Sequence, residues 1–388
     1  MSIKDQKTNN LSAAGIVCEY NPFHNGHKYQ IEKIRELTGC DTVVGIMSGN
    51  FVQRGEAAFF HKKTRAEAAI LNGMDLVLEL PVIHTLQSAE IYARNSVYTL
   101  GALGNIDALC FGAETDDLNL LQRIADLLID ETDEFRRELR LRLDKGDSYS
   151  SARGRALETI LGAEAGTVVS KPNNILGIEY IKAIRSLRLD IKPIPLLRKN
   201  AEHDGDGIKN GFASASAIRK ALANNDPAAF EAVPDNLHAL YGYSDRGDYR
   251  KLYTAIHANR IMMDKATLRT VSDVNEGLEN RIKKCAFETG TLPQLIDCVK
   301  NKRYTHSRIR RAILASYLGI TKTDSKTLPQ YIKVLAFNEN GRSFLNKCRK
   351  TAALPIVKNG KQIEKNTLAA EIWNRELVIE RIYKFCLG

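Results

Sequence analysis

The chain has 388 residues, of which 44% are hydrophobic and 26% charged, the balance of a soluble globular protein long enough for two or three domains. No apolar run approaches the ~20 residues that span a bilayer. The cysteines number seven, widely spaced and without a C-x-x-C, which argues against a disulfide framework and a zinc site and leads us to expect reduced thiols in a cytoplasm. The net charge of +10 is unevenly placed: residues 241–388 hold 28 Lys+Arg against 14 Asp+Glu, leaving 28 against 32 in residues 1–240. The C-terminal part is therefore +14 and the rest −4, an asymmetry that points to a polyanionic partner for the basic half.

Residues 1–12, beginning MSIKDQKTNN, are polar, lack an apolar signal core, and read as a disordered leader of a non-secreted chain. Apolar runs over 13–18, 42–47, 75–80, 106–111 and 191–197 predict strands, and the stretches at 27–37, 62–71, 88–103, 118–143, 153–161 and 174–187 carry helical spacing. Pro193 and Pro195 in the fifth run predict a sheet edge or a strand end. A helix over 216–223 would take Ser214 or Ser216 as its N-cap. Strands alternating with helices predict a parallel sheet covered on both faces, with ligands outside the carboxyl ends of its strands. Beyond about residue 226 strand-like runs vanish, and helices are expected over 244–264, 273–287, 292–300, 308–317 and 367–387. A boundary near 226–240 then separates an α/β domain at 13–230 from a mainly α-helical basic domain at 231–388.

The first strand runs into Asn21-Pro22-Phe23-His24-Asn25-Gly26-His27-Lys28. Pro22 ends the strand in a turn. Gly26 lets a ligand approach the backbone, and the helix after it offers free N–H groups and a positive dipole end to an anion. His24 and His27, three apart, share one face of the first turn, so both imidazoles reach the same anion. Aimed at a phosphate under attack, they stabilise developing negative charge without any proton transfer. A zinc reading of the H-x-x-H needs further ligands, and no cysteine pair supplies them.

These residues resemble the H-x-G-H signature of the nucleotidylyltransferase superfamily. The segments Met47–Glu56, Lys63–Glu67, Glu79–Pro81, Ser88–Glu90, Phe111–Glu114, Lys171–Tyr180 and Ser214–Arg219 follow in order, and together they resemble the bacterial tRNA(Met) cytidine acetate ligase family. The likeness is specific from about Ala14 to Arg219 and weaker through the helical region. It implies a Rossmann-like nucleotidylyltransferase domain at 13–230 and a tRNA-binding domain at 231–388. It also implies an enzyme that activates acetate with ATP to acetyl-adenylate, releases pyrophosphate, and acetylates N4 of the wobble cytidine of elongator tRNA(Met). The family's ATP-binding stretch maps onto Val17, Cys18, Glu19, Tyr20, Asn21, Pro22, Phe23, His24, Asn25, Gly26, His27, Lys28, Tyr29 and Gln30, with further contacts at Gly112, Asn173 and Arg198. The residues themselves agree for Gly112 and Arg198, which follow predicted strands. Asn173, after Pro172, also fits a plain helix cap. The chain departs from the family's Arg-x-Gly and Tyr-His-Asp pattern in reading Arg198-Lys-Asn-Ala-Glu-His203-Asp204. Ser214 to Arg219 stands where related transferases hold the triphosphate tail, and also reads as an ordinary cap with one arginine. Met47, Ser48 and Gly49 are candidates for the acetate pocket. His61 and Lys62 either face the nucleotide or cap the next helix.

Lys300 to Arg311 holds six Lys/Arg among twelve residues, with Tyr304 and His306 interleaved. Such a segment binds phosphates and stacks unpaired bases, or packs Ile309 and Ile313 inward as a basic helix. Arg342, Lys347, Arg349 and Lys350 form a second basic cluster. Magnesium enters only as the companion of ATP, since no carboxylate cluster in the sequence demands it. Two other readings stay open: an adenylyltransferase acting on a small phosphorylated metabolite, and a non-catalytic RNA-binding protein on the same fold.

Overall fold

The computed structural model describes residues 11–198, 211–247 and 249–387. The expected leader at 1–12, save its last two residues, and the His203-Asp204 pair lie outside the described residues.

The sheet is built from β1 (Ala13–Cys18), β2 (Thr42–Ser48), β5 (Leu76–Leu80), β6 (Ala108–Ala113) and β7 (Lys192–Leu197), with a small separate hairpin of β3 (Phe51–Val52) and β4 (Glu56–Ala57) after β2. Two later strands, β8 (Ile332–Phe337) and β9 (Ile356–Val357), complete the order β7-β6-β1-β2-β5-β8-β9. From β7 to β5 all neighbours are parallel, as expected, whereas β8 runs antiparallel to β5. Proline-bearing β7 stands at one edge. Helices are Asn25–Thr38, Lys62–Leu71, Ala89–Gly101 and Pro172–Ser186, and the expected 118–143 helix is split into Leu118–Ile129 and Asp133–Asp144. The split falls at Asp130-Glu131-Thr132, where Thr132 caps the second helix by accepting from Phe135 N–H.

The central strands are almost wholly apolar, Glu79 of β5 being their one charged residue, because both faces are covered. Along β2, Val44 and Ile46 point into one buried cluster and Val43 and Met47 into another on the opposite face. A third cluster joins the helices Tyr249–Met262, Leu278–Glu288, Leu292–Val299, His306–Tyr317 and Leu368–Leu387 to the β3–β4 hairpin and to Val82, Ile83 and Leu86 beyond β5. Among the described residues no helix is long and apolar enough to cross a membrane.

Two expectations are corrected here. Strands do not vanish after residue 226: β8 and β9 return to the sheet. β8 is half-buried and interrupted by Lys333, so it lacks the continuous apolar run that marks the central strands, and its partner lies some 250 residues earlier in sequence. Nor are all thiols reduced: Cys285 and Cys298 form a disulfide with a Cα–Cα distance of 5.8 Å. The hairpin of the helices Leu278–Glu288 and Leu292–Val299 brings their last turns together, which a separation of 13 residues does not announce. Cys18, Cys40, Cys110 and Cys348 are free and buried.

Candidate active site

In the strand order, β1 has β2 on one side and β6 on the other, so the chain leaves β1 in opposite directions and opens a crevice at the carboxyl ends. The loop after β1 sits in that crevice. Tyr20 takes a left-handed conformation (φ 48°) and the Asn21–Pro22 bond is cis. Tyr20 and Phe23 are buried beneath the turn, with their rings edge-on at 4.9 Å. The Asn21 side chain accepts from Phe59 N–H at 2.7 Å, and its carbonyl accepts from Arg219 at 2.7 Å. Tyr241 donates to the Phe23 carbonyl at 3.1 Å, and Asn25 donates to the Gly211 and Glu231 carbonyls at 2.8 and 3.1 Å. The loop is thus held by residues from 59 to 241, and a left-handed non-glycine residue persists there because its surroundings over-determine it.

On this frame the two histidines form one unit. His24 is the N-cap of the helix Asn25–Thr38, and its Nδ1 accepts from Gly26 N–H at 3.1 Å. His27 Nδ1 accepts from His24 N–H at 3.3 Å, closing a capping box, and the rings stack at 3.7 Å. A side chain on residue 26 would place its Cβ 2.9 Å from His24 Cε1, so glycine is what allows the ring to fold over the turn. Since each Nδ1 accepts a backbone hydrogen, each neutral ring carries its proton on Nε2. Crowding by protein together with the Arg198 charge lowers His24 to about 3. Crowding, then His24 and Arg198, hold His27 well below the ordinary imidazole range. Both rings are therefore neutral at pH 7 and present Nε2–H as fixed donors.

Gly112, Asn173 and Arg198 converge beside them. Gly112 is the penultimate residue of β6, with the Arg198 and Gln30 side chains 3.5 and 3.6 Å from where its Cβ would stand. Arg198 follows β7, is exposed, and donates to Asn173 Oδ1 at 3.3 Å. Asn173 is not the cap of its helix. Lys171 is the cap, Pro172 opens the helix, and the Asn173 amide donates to Glu114 Oε1 at 2.6 Å. Glu114 also accepts from Asn174 N–H at 2.9 Å, so its carboxylate occupies that helix N-terminus. Of the residues singled out in sequence, His24, His27, Gln30, Gly112, Asn173 and Arg198 form one cluster. Tyr20, Asn21, Pro22, Phe23, Asn25 and Gly26 shape the loop. Val17 and Cys18 pack into the sheet, Cys18 Sγ donating to the Ile46 carbonyl at 3.6 Å, and Lys28 points to solvent. Tyr29 is half-buried on the helix.

Glu19, at the end of β1, gathers polar groups around its carboxylate. Its carboxylate accepts from Gln53 N–H at 2.7 Å and lies 3.5 Å from Ser48 Oγ, which is 3.3 Å from Tyr92 OH. Burial raises Glu19 above the ordinary carboxylate range. Of the residues proposed for acetate, Ser48 faces this group, Met47 packs in the core, and Gly49 abuts Glu79, whose Oε1 is 2.8 Å from where a Cβ would stand. Arg65, fully buried, donates to the Phe60 carbonyl at 3.0 Å, the Ser48 carbonyl at 3.2 Å and the Glu19 and Gly49 carbonyls, clamping the ends of β1 and β2. His61 caps the next helix by accepting from Lys63 N–H at 3.2 Å. Lys62 pairs with Glu79 and Glu380 at 2.8 and 2.7 Å, and Lys333 of β8 pairs with Glu79 at 2.7 Å.

Of the two readings of the basic segment, the helix that packs Ile309 and Ile313 inward is present, and little of the segment is left free for RNA. Tyr304 is buried and its hydroxyl donates to the Glu276 carbonyl at 2.6 Å, so its ring is not a stacking platform. Arg308 pairs with Glu276 at 3.3 Å, Arg311 with Asp273 at 2.7 Å, and Arg310 with Glu56. Lys302, Arg303 and His306 are the exposed remainder. In the second cluster Arg342, Lys347, Arg349 and Lys350 are all exposed.

The HIGH Nucleotidyl Transferase family matches residues 11–387. The chain is 38% identical over 380 residues to a tRNA(Met) cytidine acetate ligase of Caldanaerobacter subterraneus subsp. tengcongensis, covering 96% of this chain and 95% of that protein. It is 36% identical over 365 residues to one of Acetivibrio thermocellus, covering 89% and 88%. Among solved structures, Thermotoga maritima TmcAL bound with alpha-thio ATP superposes with a TM-score of 0.87 at 32% identity over 97% of this chain and 95% of that one. The apo form superposes with a TM-score of 0.90, also at 32% identity, over 97% and 96%.

Proposed function

The chain belongs to the HIGH nucleotidyl transferase family, among its tRNA(Met) cytidine acetate ligases, and from that premise we propose that it activates acetate with ATP and acetylates N4 of the wobble cytidine of elongator tRNA(Met) in the cytoplasm. The observation that carries the reading is the pair of neutral imidazoles, His24 and His27, whose Nε2–H donors are fixed by backbone bonds beside Arg198. Acetate oxygen attacks the α-phosphorus of ATP, pyrophosphate leaves, and charge builds on the phosphoryl oxygens. Neutral donors stabilise that charge and need give up no proton. Arg198 adds a forked, permanently charged donor, steadied by Asn173. The α-phosphate is placed at the histidines, Gly112 leaves room beside Gln30, and Val17 to Gln30 form the nucleotide's wall.

Magnesium arrives with the phosphates of ATP. Among the described residues the group of His, Cys, Asp or Glu side chains clustered at ligand distance is Cys285, Glu288 and Cys298, in the helical part of the chain, and its two cysteines are tied up in the disulfide. The amine of cytidine is a weak nucleophile, so a mixed anhydride is a suitable donor, and its N4 is reachable only in an unpaired loop. Exposed lysines and arginines of the +14 half, Lys302 and Arg303 first among them, are assigned to the RNA backbone.

The test supplies labelled acetate, ATP and unfractionated bacterial tRNA and reads the nucleosides by mass spectrometry. ATP-dependent N4-acetylcytidine is expected. ATP consumed with a phosphorylated metabolite and no label in RNA would replace this reading by a metabolite adenylyltransferase. RNA binding without any ATP turnover would replace it by a binding protein.

A further inference from the structure

A cleft of about 210 Å³ opens where the β3–β4 hairpin meets the helices Tyr249–Met262, Leu292–Val299 and His306–Tyr317. Its floor is apolar, formed by Ile256 and Leu292, and its rim carries Tyr253, Pro293, Glu56 and Arg310. This volume is below the ~300 Å³ at which pockets for drug-sized ligands begin, so the cleft admits one flat ring and not a whole nucleotide. Of its three charged groups, Asp297 stands on the helix Leu292–Val299 beside His306, and the other two stand together. Glu56 and Arg310 are ion-paired side by side and both remain partly exposed. Glu56 Oε2 lies 3.5 Å from Arg219, whose other nitrogen holds the Asn21 carbonyl of the histidine loop at 2.7 Å. The Glu56 end of the cleft is therefore one side chain away from the loop that bears His24 and His27.

We propose that this cleft receives the acceptor base of the RNA, a cytosine turned out of its loop, with its Watson–Crick edge on Glu56 and Arg310. The inference rests on the reading of function given above and specifies where its second substrate enters. Cytosine carries a donor, the N4 amine, next to acceptors, N3 and O2. A carboxylate beside a guanidinium presents the complementary order, acceptor and then donor. Uracil reverses the first two positions and would set its O4 against the carboxylate. Glu56 has acceptor sites left beyond its two arginines, and Arg310 has five N–H donors. A carboxylate accepting from cytosine N4 is a standard base contact, and reading the Watson–Crick edge of an extruded base is how unpaired RNA is recognised. The base ring lies against the apolar floor beneath Tyr253. Because Glu56 stands on the side of the histidine loop, a base held this way turns N4 toward the adenylate.

In transfer, N4 forms a bond to the acetyl carbon, the bond from that carbon to the AMP oxygen breaks, AMP leaves as its anion, and one N4 proton passes to the Glu56 carboxylate.

The experiment separates the two half-reactions. Wild type, Glu56→Gln and Tyr253→Ala are assayed for acetate-dependent exchange of pyrophosphate into ATP and for acetyl transfer to elongator tRNA(Met). Competition by the same tRNA carrying uridine at the wobble position is measured alongside. Expected are exchange within about twofold of wild type, transfer lowered about tenfold or more, and a preference for cytidine over uridine that is strong in wild type and largely lost in Glu56→Gln. On the unmutated protein, a tRNA with 5-iodocytidine at the wobble position should crosslink within residues 55–57, 249–262, 292–299 or 306–317. Transfer and base preference unchanged in both variants, or a crosslink mapped elsewhere, overturns the assignment. Should either variant lose exchange as well, the crosslink on the wild-type protein decides. Wild type without acetate-dependent exchange overturns the function itself, and this cleft's role with it.

Discussion

The loop after β1 and the basic segment at 300–311 were equally conspicuous in sequence, and the fold treats them in opposite ways. In the first, the signature residues stay together: His24 and His27 stack on one turn and Arg198 reaches them from β7. In the second, the charges are shared out among partners far away: Arg308 and Arg311 turn to 273–276, Arg310 crosses to Glu56, and Tyr304 is buried. A short strand-glycine-helix motif dictates its own geometry, because caps and i,i+3 neighbours are local. A run of like charge carries no such instruction, and which of its members remain available depends on acids elsewhere in the chain.

The largest effect is expected where this long-range charge pairing is deepest. Glu79, fully buried at the end of β5, holds Lys62 and Lys333, so it couples the first helices to β8. Glu79→Ala leaves Lys333 without its carboxylate and Lys62 with Glu380 alone, and should cost ~3–5 kcal/mol of stability, read from the urea midpoint. A loss under ~1 kcal/mol would mean that water already reaches these groups and that β8 is held by its backbone ladder alone.

That coupling also marks the limit of what the sequence disclosed. The strands β1, β2, β5 and β6 were legible because burial on both faces makes them nearly continuous apolar runs, and β7 was legible from its apolar run, whose Pro193 and Pro195 pointed to a sheet edge or a strand end. β8 was not, since a half-covered antiparallel strand with Lys333 in it resembles any mixed segment. Within the site, His24, His27, Gly112 and Arg198 were legible from their positions after strands. Arg65 was assigned no role, and Glu19 only a place in the ATP-binding stretch: a clamp of four backbone carbonyls and a carboxylate held by Gln53 N–H depend on where β1 and β2 end in space.

Next in size is the chemistry of the loop. His24→Ala or His27→Ala should lower acetate-dependent pyrophosphate exchange ~10²–10³-fold, as for other lost transition-state donors. Because both rings are neutral well below pH 6, the acid side of the exchange profile should show no histidine step between pH 5 and 8. A step near pH 6.5 that disappears in His24→Ala would reassign that residue as a proton carrier. The same shift has a consequence for stability. His24 binds its proton in the folded state only near pH 3, whereas the unfolded chain takes it up near 6.5. Its neutral form therefore contributes stability above about pH 6.5 that is lost as pH falls toward 3.

Glu376 on the C-terminal helix gives a smaller effect of opposite sign. Burial, then the Glu79 charge, raise it to about 7 from an ordinary 4.5, and its carboxyl accepts from Val82 N–H at 2.8 Å. The folded state binds more protons than the unfolded one between those values, so this group's contribution to stability is full at low pH and lost as pH rises through about 7. Glu376→Gln should accordingly gain on wild type in urea midpoint between pH 5 and 8. A difference that does not change with pH would show the carboxyl to be charged throughout.

The smallest expected effect returns to the basic half and sorts its two clusters. Lys302 and Arg303 belong to the segment that meets Glu56 in the hairpin after β2, on the crevice side of the sheet. Lys347, Arg349 and Lys350 close the helix Glu339–Cys348, whose Asn338 cap bonds to Asp75 at the amino end of β5, the far side of the same sheet. An RNA whose acceptor base lies near His24 reaches the first pair and not the second cluster. Lys302→Ala with Arg303→Ala should lower the slope of log affinity against log salt by roughly 1–2, with exchange unaffected. The triple change at 347, 349 and 350 should leave that slope within ~0.5 of wild type. The reverse outcome would place the RNA across the amino ends of the strands, and transfer would then require the anticodon loop to wrap around the sheet edge. Arg311→Ala supplies the control: it strips Asp273 of its partner, so its loss should appear in the urea midpoint and not in the salt slope.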